Sequence, residues 1–163
     1  MAAPGPPSIS SAEYDARLRR IRRIAKRFGF VGRVEYRHVF SGSGGAQFGL
    51  GSDAERDLLV VYAEAFVRDA DPMDFTLETM IGHERGHQIV CRNKQLQKFL
   101  VGKVTPATEE ILASLVASWL VEQERDRQAL VLKALEEAVQ CGVTAPEAMD
   151  LVMELRELLE HIR

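Results

Sequence analysis

Apolar residues recur along this chain at a helical spacing, then at an alternating one, then at a helical spacing again. Between Ser11 and Gly29 they follow a helical period, and many of the remaining positions are Arg or Lys. The apolar positions of this period are Leu18, Ile21, Ala25 and Phe28. The pattern predicts a first helix that begins near Ser11 and ends at Gly29.

Three short strands are predicted after this helix. Residues 33–40 alternate in polarity, residues 46–50 form a second extended segment, and the run LLVVYA at 58–63 is typical of a buried strand. The sequence SGSGG at 41–45 predicts a flexible turn between the first two strands. One face of the first strand is formed by Val34, Tyr36, His38 and Phe40.

The rest of the chain is predicted to be helical. Helical patterns cover about 74–92 and about 107–140. The sequence from Thr144 to Glu147 predicts a capping box that opens a last helix. The apolar stripe of that helix is Val152, Leu155, Leu159 and Ile162. One helix, three strands and three helices in this order predict an α+β fold.

Length and composition indicate one domain. The chain has 163 residues, of which 46% are hydrophobic and 28% charged, and this apolar content is enough for one compact core. Residues 1–10 are rich in Pro, Gly, Ala and Ser, which predicts a disordered tail. We therefore expect a single domain over 11–163, with a helical C-terminal extension over about 122–163.

Apolar runs and cysteine usage bear on the compartment. No apolar run approaches the ~20 residues that a membrane-spanning helix needs. The N-terminal sequence has no basic segment followed by an apolar one, and the two cysteines are Cys91 and Cys141. We expect a cytoplasmic protein with free thiols and no membrane partner.

Charge is distributed unevenly along the chain. The formal net charge of −3 excludes the strongly basic balance of a nucleic-acid coat protein. Residues 1–40 carry a net charge of +6 and the remainder −9. We expect the Arg-rich first helix to be a solvated face that pairs with the acidic C-terminal region. Direct nucleic-acid binding is not expected, because no aromatic residues are interleaved with the arginines. The heptad-like C-terminal stripe leaves a homodimer open.

The strongest candidate for chemistry is the H-E-x-x-H motif formed by His83, Glu84 and His87 in the predicted helix 74–92. Histidines four residues apart lie on one helix face, about one turn apart, so both imidazoles can bind one ion. Glu84 is rotated by about 100° from His83 around the helix. It can therefore reach a water molecule at the metal without binding the metal, which is the position of a general base.

A catalytic Zn²⁺ ion needs a third protein ligand and an open coordination position. The candidates are Glu109 and Glu110, although acidic residues are common in a first helical turn because they complement the helix dipole. Ala113 and Ala117 follow Glu110 at i+3 and i+7, and this face of small residues lets the helix approach the HExxH helix closely. Glu110 continues that face and Glu109 is rotated away from it. Glu110 is therefore the predicted third ligand, and Glu109 is held in reserve.

Three other side chains are candidates for a role at this site. Cys91 lies four residues after His87, but a further turn carries it ~5.4 Å along the axis, so we expect a buried apolar thiol and not a ligand. His38 and Tyr62 lie on predicted strands, where such residues are usually part of the core with one hydrogen-bond partner. Neither is assigned a catalytic role. The donor that stabilises the transition state stays open: His38, Tyr62 or neither.

Two segments resemble the ImmA/IrrE metallopeptidases. They are DFTLETMIGHERGHQIV and the later pattern Glu110-x-x-Ala113-x-x-Val116-Ala117-x-x-Leu120. The resemblance covers about residues 30–121. It implies a compact zincin-type fold, a zinc ion bound by His83, His87 and Glu110, and Glu84 as the catalytic base. It also implies cleavage of a protein substrate, which in this family is often a helix-turn-helix repressor.

The motif and the resemblance together predict a zinc-dependent metalloendopeptidase of the small gluzincin type, in which a glutamate assists the attack of water on a peptide bond. Either predicted strand, 33–40 or 46–50, can supply an edge against which an extended substrate pairs. The alternative is a non-catalytic, metal-stabilised module that binds a protein partner through its helices. Such a closed site needs a fourth ligand, for which Cys91, His38 and His161 are the remaining nitrogen and sulfur donors.

Overall fold

The computed structural model describes residues 4–67, 75–100 and 106–161. Within these ranges the helices are α1 (Ser11–Arg27), α2 (Leu77–Arg92), α3 (Lys94–Leu100), α4 (Pro106–Leu120), α5 (Glu124–Gln140) and α6 (Ala145–His161). The strands are β1 (Arg33–Arg37), β2 (Ala46–Gly49) and β3 (Leu58–Tyr62). The α+β class is confirmed. None of the described helices is both long and apolar enough to cross a membrane.

The three strands form one small mixed sheet in the order β1-β3-β2. β1 runs parallel to β3, with Tyr36 opposite Val61, and β2 runs antiparallel to it, with Phe48 opposite Leu59. β3 is the central strand, and Leu59 and Val61 are fully buried. β2 is therefore an edge strand, and only one of its two sides is paired with β3.

The first strand is shorter than predicted. β1 ends at Arg37, and the prediction that it continues to Phe40 is wrong. The partner strand β3 ends at Tyr62 and continues into a 3₁₀ turn, so pairing stops after one more hydrogen bond, from the Ala63 N–H to the Val39 carbonyl at 3.1 Å. The chain turns instead, since the Val39 N–H donates to the carbonyl of Arg37 at 2.8 Å.

Helix α1 begins at Ser11, as predicted, because the Ser10 hydroxyl accepts a hydrogen bond from the Glu13 N–H. It ends before Gly29, whose φ of +73° suits glycine. Just ahead of the helix, the carbonyl of Pro7 lies 2.7 Å from His38 Nε2. Residues 1–3 of the predicted tail lie outside the described residues.

A shared core joins α1 to the sheet and to the following helices. Its fully buried members include Ile21 from α1, Leu59 and Val61 from β3, Ile81 from α2 and Ala117 from α4. The apolar period of α1 is thus confirmed as a packing face. The direct ion pairs that the structure describes from α1 join Arg17 to Glu13 and Arg27 to Glu78. Of the acids in the C-terminal region, Glu122 attracts Arg27 of α1 and helps to raise the pKa of its guanidinium group, without a direct ion pair among the described residues.

The prediction of a single helix over about 107–140 is wrong. α4 ends at Leu120 and α5 begins at Glu124, with Val121 buried between them. The break contains neither glycine nor proline, so the local sequence carries no stop signal. Arg127 stabilises the connection by donating to the carbonyl of Glu122 at 3.0 Å.

A further short helix, α3, was not predicted either. It follows Asn93, whose side-chain oxygen accepts hydrogen bonds from the N–H groups of Gln95 and Leu96 at 3.0 Å each. Asparagine is a preferred residue at such a position, so a signal was present in the sequence.

The last helix agrees with its prediction. Glu147 accepts hydrogen bonds from both the N–H and the hydroxyl of Thr144, at 3.0 and 2.6 Å. The apolar stripe packs into a second core cluster with α4 and α5. Its buried members in α6 are Ala148, Val152, Leu155 and Leu159. Ile162 lies outside the described residues.

Candidate metal centre

Helix α2 places the two histidines of the HExxH motif against one another. It begins at Leu77 because Thr76 Oγ1 accepts from the Thr79 N–H at 3.1 Å, and the predicted residue 74 lies outside the described ranges. The rings of His83 and His87 are 4.8 Å apart between centroids, and their Nε2 atoms are 3.2 Å apart. His83 is buried and His87 is half-buried. The spacing of one turn therefore gives two converging nitrogen donors.

Helix α4 brings a carboxylate to these two nitrogens. Glu110 Oε2 lies 3.1 Å from His83 Nε2, and Glu110 Oε1 lies 3.1 Å from His87 Nε2. The ligand atoms of the three residues all lie within 4.8 Å of one another. The structure therefore holds a group that could bind a metal ion, formed by His83, His87 and Glu110.

The donor set of this group suits zinc. Two imidazole nitrogens and one carboxylate oxygen are ligands that Zn²⁺ accepts, with a fourth position left for water or substrate. A structural zinc site would instead use four protein ligands. The residues present therefore fit the catalytic type of zinc site.

A contact between α2 and α4 makes this convergence possible. A Cβ atom built on Gly86 would lie 2.1 Å from the carbonyl oxygen of Ala113, so the two backbones meet where only glycine fits. One turn earlier, Gly82 faces Ala117, whose Cβ would be 3.8 Å from an added Cβ. The predicted face of small residues is thus where the two helices approach.

The outward-facing nitrogens of both rings also have partners. His83 Nδ1 lies 3.1 Å from the buried hydroxyl of Ser114. His87 Nδ1 lies 3.3 Å from Glu109 Oε1, and the same oxygen accepts a hydrogen bond from the Cys91 thiol at 3.5 Å. Burial and the Glu109 carboxylate raise the pKa of Cys91 to about 11, so the thiol stays protonated at neutral pH. Glu109 thus contacts a histidine from outside the three-residue group.

Charge and burial set the ionisation of the central groups. Hydrogen bonds from His83 and His87 hold the pKa of Glu110 well below its ordinary value. Burial lowers the pKa of His87, but the hydrogen bond that His87 donates to Glu110 and the nearby carboxylates outweigh this effect, and the pKa is raised. The cluster thus stabilises an ionised carboxylate beside an imidazole that readily holds a proton.

Glu84 lies beside the three-residue group without joining it. Burial raises the pKa of its carboxyl group, an effect opposed by His83 and His87 and by a hydrogen bond from the Phe48 backbone N–H. The carboxylate thus faces strand β2 across a cavity that both line. Glu84 therefore lies on the same helix as the two histidines but faces a different neighbour.

An open cavity of about 550 Å³ leads to these residues. Its wall includes His83, Glu84, His87 and Glu110 on one side and the β2 segment from Gly45 to Phe48 on the other. Lys133 of α5 also lines the cavity, and its Nζ atom lies 3.7 Å from Glu137 Oε1.

Strand β2 presents its unpaired side to this cavity. Gly45 accepts a hydrogen bond from the Tyr62 N–H at 2.8 Å, and antiparallel pairing alternates along the strand. The backbone groups of Ala46 and Phe48 therefore face away from β3. This agrees with the hydrogen bond from Phe48 to Glu84. The sequence left open which of the two predicted strands, 33–40 or 46–50, supplies an edge at the site. The strand that borders this cavity is β2.

The other candidate residues lie elsewhere. His38 Nδ1 is 2.8 Å from the Tyr36 hydroxyl, near α1, and the Tyr62 hydroxyl donates to Gln47 at 3.1 Å. Neither lines the cavity. The side chain of His161 lies outside what the structure describes.

Two contributors were missed by the sequence analysis. Ser114 lies one turn after Glu110 on α4, so helical spacing alone could have indicated that it faces the same histidines. Lys133 belongs to another helix, and no local pattern connects it to the motif.

Comparison with known proteins adds no relative. No protein-family model, no curated protein and no solved structure matches the chain. The likeness to the ImmA/IrrE metallopeptidases is therefore limited to two motifs.

Proposed function

We propose that this chain is a zinc-dependent metalloendopeptidase with a zincin-type fold. One observation carries the proposal: three ligand atoms of His83, His87 and Glu110 converge at an open cavity, with Glu84 beside them and outside the group. Catalytic zinc sites combine these features, namely three protein ligands, access for substrate and a neighbouring base.

His83, His87 and Glu110 would hold the zinc ion. Zn²⁺ bound there supplies Lewis acidity, which polarises a peptide carbonyl and makes water a stronger nucleophile. Glu84 accepts a proton from the attacking water as the oxygen of that water adds to the carbonyl carbon. Glu84 then gives this proton to the amide nitrogen as the carbon–nitrogen bond breaks. The products are a peptide with a new carboxyl group and a peptide with a new amino group. The Phe48 N–H favours the ionised form of the Glu84 carboxyl group, because it lowers its pKa.

The edge strand supports a polypeptide substrate. The backbone groups of Ala46 and the carbonyl of Phe48, which are not paired with β3, lie along the cavity, where an extended chain can add to the sheet by main-chain hydrogen bonds. Such binding uses the main-chain N–H and C=O groups of the substrate, which every protein and peptide carries. A helix-turn-helix repressor is the protein substrate that the family resemblance suggests.

The non-catalytic module finds less support. A closed site requires a fourth ligand, but the Cys91 thiol hydrogen-bonds to Glu109 and His38 contacts Tyr36. A structural site also has no need of a carboxylate in the position of Glu84.

Metal content and cleavage test the proposal together. We expect near-equimolar zinc in the purified protein and its loss in His83→Ala and Glu110→Ala. Glu136→Ala, at an exposed position of α5, serves as the control and should retain the metal. The zinc-loaded protein should cleave members of a mixed peptide library detected by mass spectrometry, and a chelator should stop cleavage until zinc is restored. Zinc binding without cleavage of any peptide would favour the module, and absence of zinc would refute the site.

A further inference from the structure

The carboxylate of Glu109 contacts His87 on the side opposite to the ligand group. His87 Nε2 lies 3.2 Å from His83 Nε2 and 3.1 Å from Glu110 Oε1. His87 Nδ1, across the ring, lies 3.3 Å from Glu109 Oε1. One imidazole thus lies between two adjacent glutamates of α4, with one nitrogen directed to each.

Metal binding through Nε2 would leave one tautomer of His87. A neutral imidazole carries one N–H, and an ionised carboxylate can only accept a hydrogen bond. A ring that binds the ion through Nε2 therefore carries its N–H on Nδ1, where Glu109 lies in position to accept it. A metal ligand needs the Nε2 lone pair, and a carboxylate behind a histidine also makes the histidine a stronger donor.

Glu109 is itself held in position by a second donor. The Cys91 thiol, one turn after His87 on α2, donates to the same Glu109 oxygen at 3.5 Å. The close contact of Gly86 with Ala113 limits sliding of α2 along α4. The corresponding nitrogen of His83, Nδ1, faces the Ser114 hydroxyl instead. A hydroxyl group can either donate or accept a hydrogen bond, so Ser114 does not by itself determine the tautomer of His83.

We propose that Glu109 is a positioning residue for the metal site. Glu109 fixes the tautomer and orientation of His87 through Nδ1 and does not bind the ion itself. The role rests on the proposed metal site, and it is separate from the chemistry of Glu84. It also distinguishes the two adjacent glutamates: Glu110 would bind the ion directly, whereas Glu109 would act through His87.

Zinc affinity is the first measurement, made by competition with a chelator of known affinity. In Glu109→Ala we expect the zinc Kd to rise by about 10–100-fold, the usual effect of removing such a partner. Glu109→Gln should recover part of this loss, since its amide oxygen can still accept from Nδ1. Glu136→Ala, the exposed control on α5, should stay within about two-fold of the wild type.

The tautomer gives a second readout that a merely structural role would not change. Long-range ¹H–¹⁵N correlation spectra of the zinc-loaded wild type should show His87 protonated at Nδ1 and bound through Nε2. In zinc-loaded Glu109→Ala we expect a weakened or exchange-broadened Nδ1 proton signal for His87, with His83 unchanged.

A Glu109→Ala affinity equal to that of the control would overturn the proposal, as would an unchanged His87 spectrum. Loss of zinc as complete as in Glu110→Ala would also overturn it, because Glu109 would then be a ligand. These measurements do not depend on hydrolysis. A wild type that binds zinc but cleaves no peptide would therefore end the peptidase proposal while the role of Glu109 is still decided, whereas a wild type that binds no zinc would refute both.

Discussion

Glu84 and Glu110 are two carboxylates at one site whose neighbours give them different properties. Glu110 receives hydrogen bonds from both histidines, which lower its pKa, whereas burial raises the pKa of Glu84. An ionised carboxylate directed at two nitrogens is suited to bind a cation. A carboxylate that lies beside them, bound to a backbone N–H, is suited to move a proton.

Replacing Glu84 with Gln should separate metal binding from hydrolysis. The amide is close to the carboxylate in shape but cannot accept a proton from water, so we expect unchanged zinc content and loss of cleavage by at least about 100-fold. Metal analysis and the peptide assay, run on the same preparation, measure both effects. If zinc were lost as well, Glu84 would be a ligand and the proposed mechanism would be wrong.

At the scale of elements, the site depends on how closely α2 approaches α4. Gly86 lies between the two histidines, and its contact with the Ala113 backbone sets the distance from which Glu110 reaches them. The three candidate ligands come from two helices, so a shift of one helix by about 1 Å would change the distances between their ligand atoms.

Gly86→Ala should therefore damage both stability and metal binding. The added methyl group meets backbone atoms that cannot rotate away, so we expect a loss of about 3 kcal/mol in the free energy of unfolding and a zinc Kd raised at least ten-fold. Urea unfolding of the metal-free protein and a chelator competition measure the two effects.

Gly82→Ala is the matched control on the same helix. An added Cβ would meet its nearest neighbours, Val121 and Phe28, at 3.4 and 3.6 Å, which are ordinary contacts. Alanine also favours a helix over glycine by up to about 1 kcal/mol. We expect this variant to be as stable as the wild type or slightly more so. Equal damage from both substitutions would show that α2 tolerates no added methyl group on this face, whatever lies opposite.

At the scale of the whole molecule, a fully buried carboxylate ties the sheet to the HExxH helix. Asp57 precedes β3 and accepts hydrogen bonds from Gln88 Nε2 at 2.8 Å and Arg92 Nε at 3.1 Å, both on α2. It also accepts from the Gly51 N–H at 2.7 Å. Burial would raise the pKa of Asp57, but these hydrogen bonds outweigh it and the pKa is lowered.

Asp57 should make stability depend on acid pH. Its pKa is lower in the folded state, so its contribution is fully present above its ordinary pKa of 3.8 and is lost as the pH falls through the lower folded value. At pH 7, we expect Asp57→Asn to cost about 3 kcal/mol, because the new amide directs a donor at other donors. The difference between wild type and variant should shrink below about pH 4 in urea titrations. A difference independent of pH would contradict this account.

The exposed basic residues of α1 should contribute little to stability. Arg19, Arg22 and Arg23 are exposed, and none of them forms an ion pair with another described residue. Like charges at i,i+3 and i,i+4 destabilise a helix by about 0.2–0.5 kcal/mol per pair. Replacing all three with Gln should leave the free energy of unfolding unchanged or raise it by up to about 1 kcal/mol, less so in 0.5 M salt. A large loss of stability would mean that these arginines make specific contacts.

The local sequence was sufficient to predict a feature of the site wherever that feature depends on the spacing of residues within one helix. The convergence of His83 and His87 follows from their spacing, and the face of Glu110, Ala113 and Ala117 already distinguishes Glu110 from Glu109. Helical and strand periods place side chains on faces whatever the rest of the chain does, so these features were readable in advance.

Tertiary structure decided the features that depend on a distant partner. β1 ends where β3 stops offering partners, and the helix predicted over 107–140 breaks at Val121 although no glycine or proline marks the place. The packing of α5 against α4 also brings Lys133 to the cavity, and the strand order leaves one side of β2 unpaired with any described strand, beside Glu84. Packing between elements far apart in sequence determines such contacts, and a local period contains no information about them.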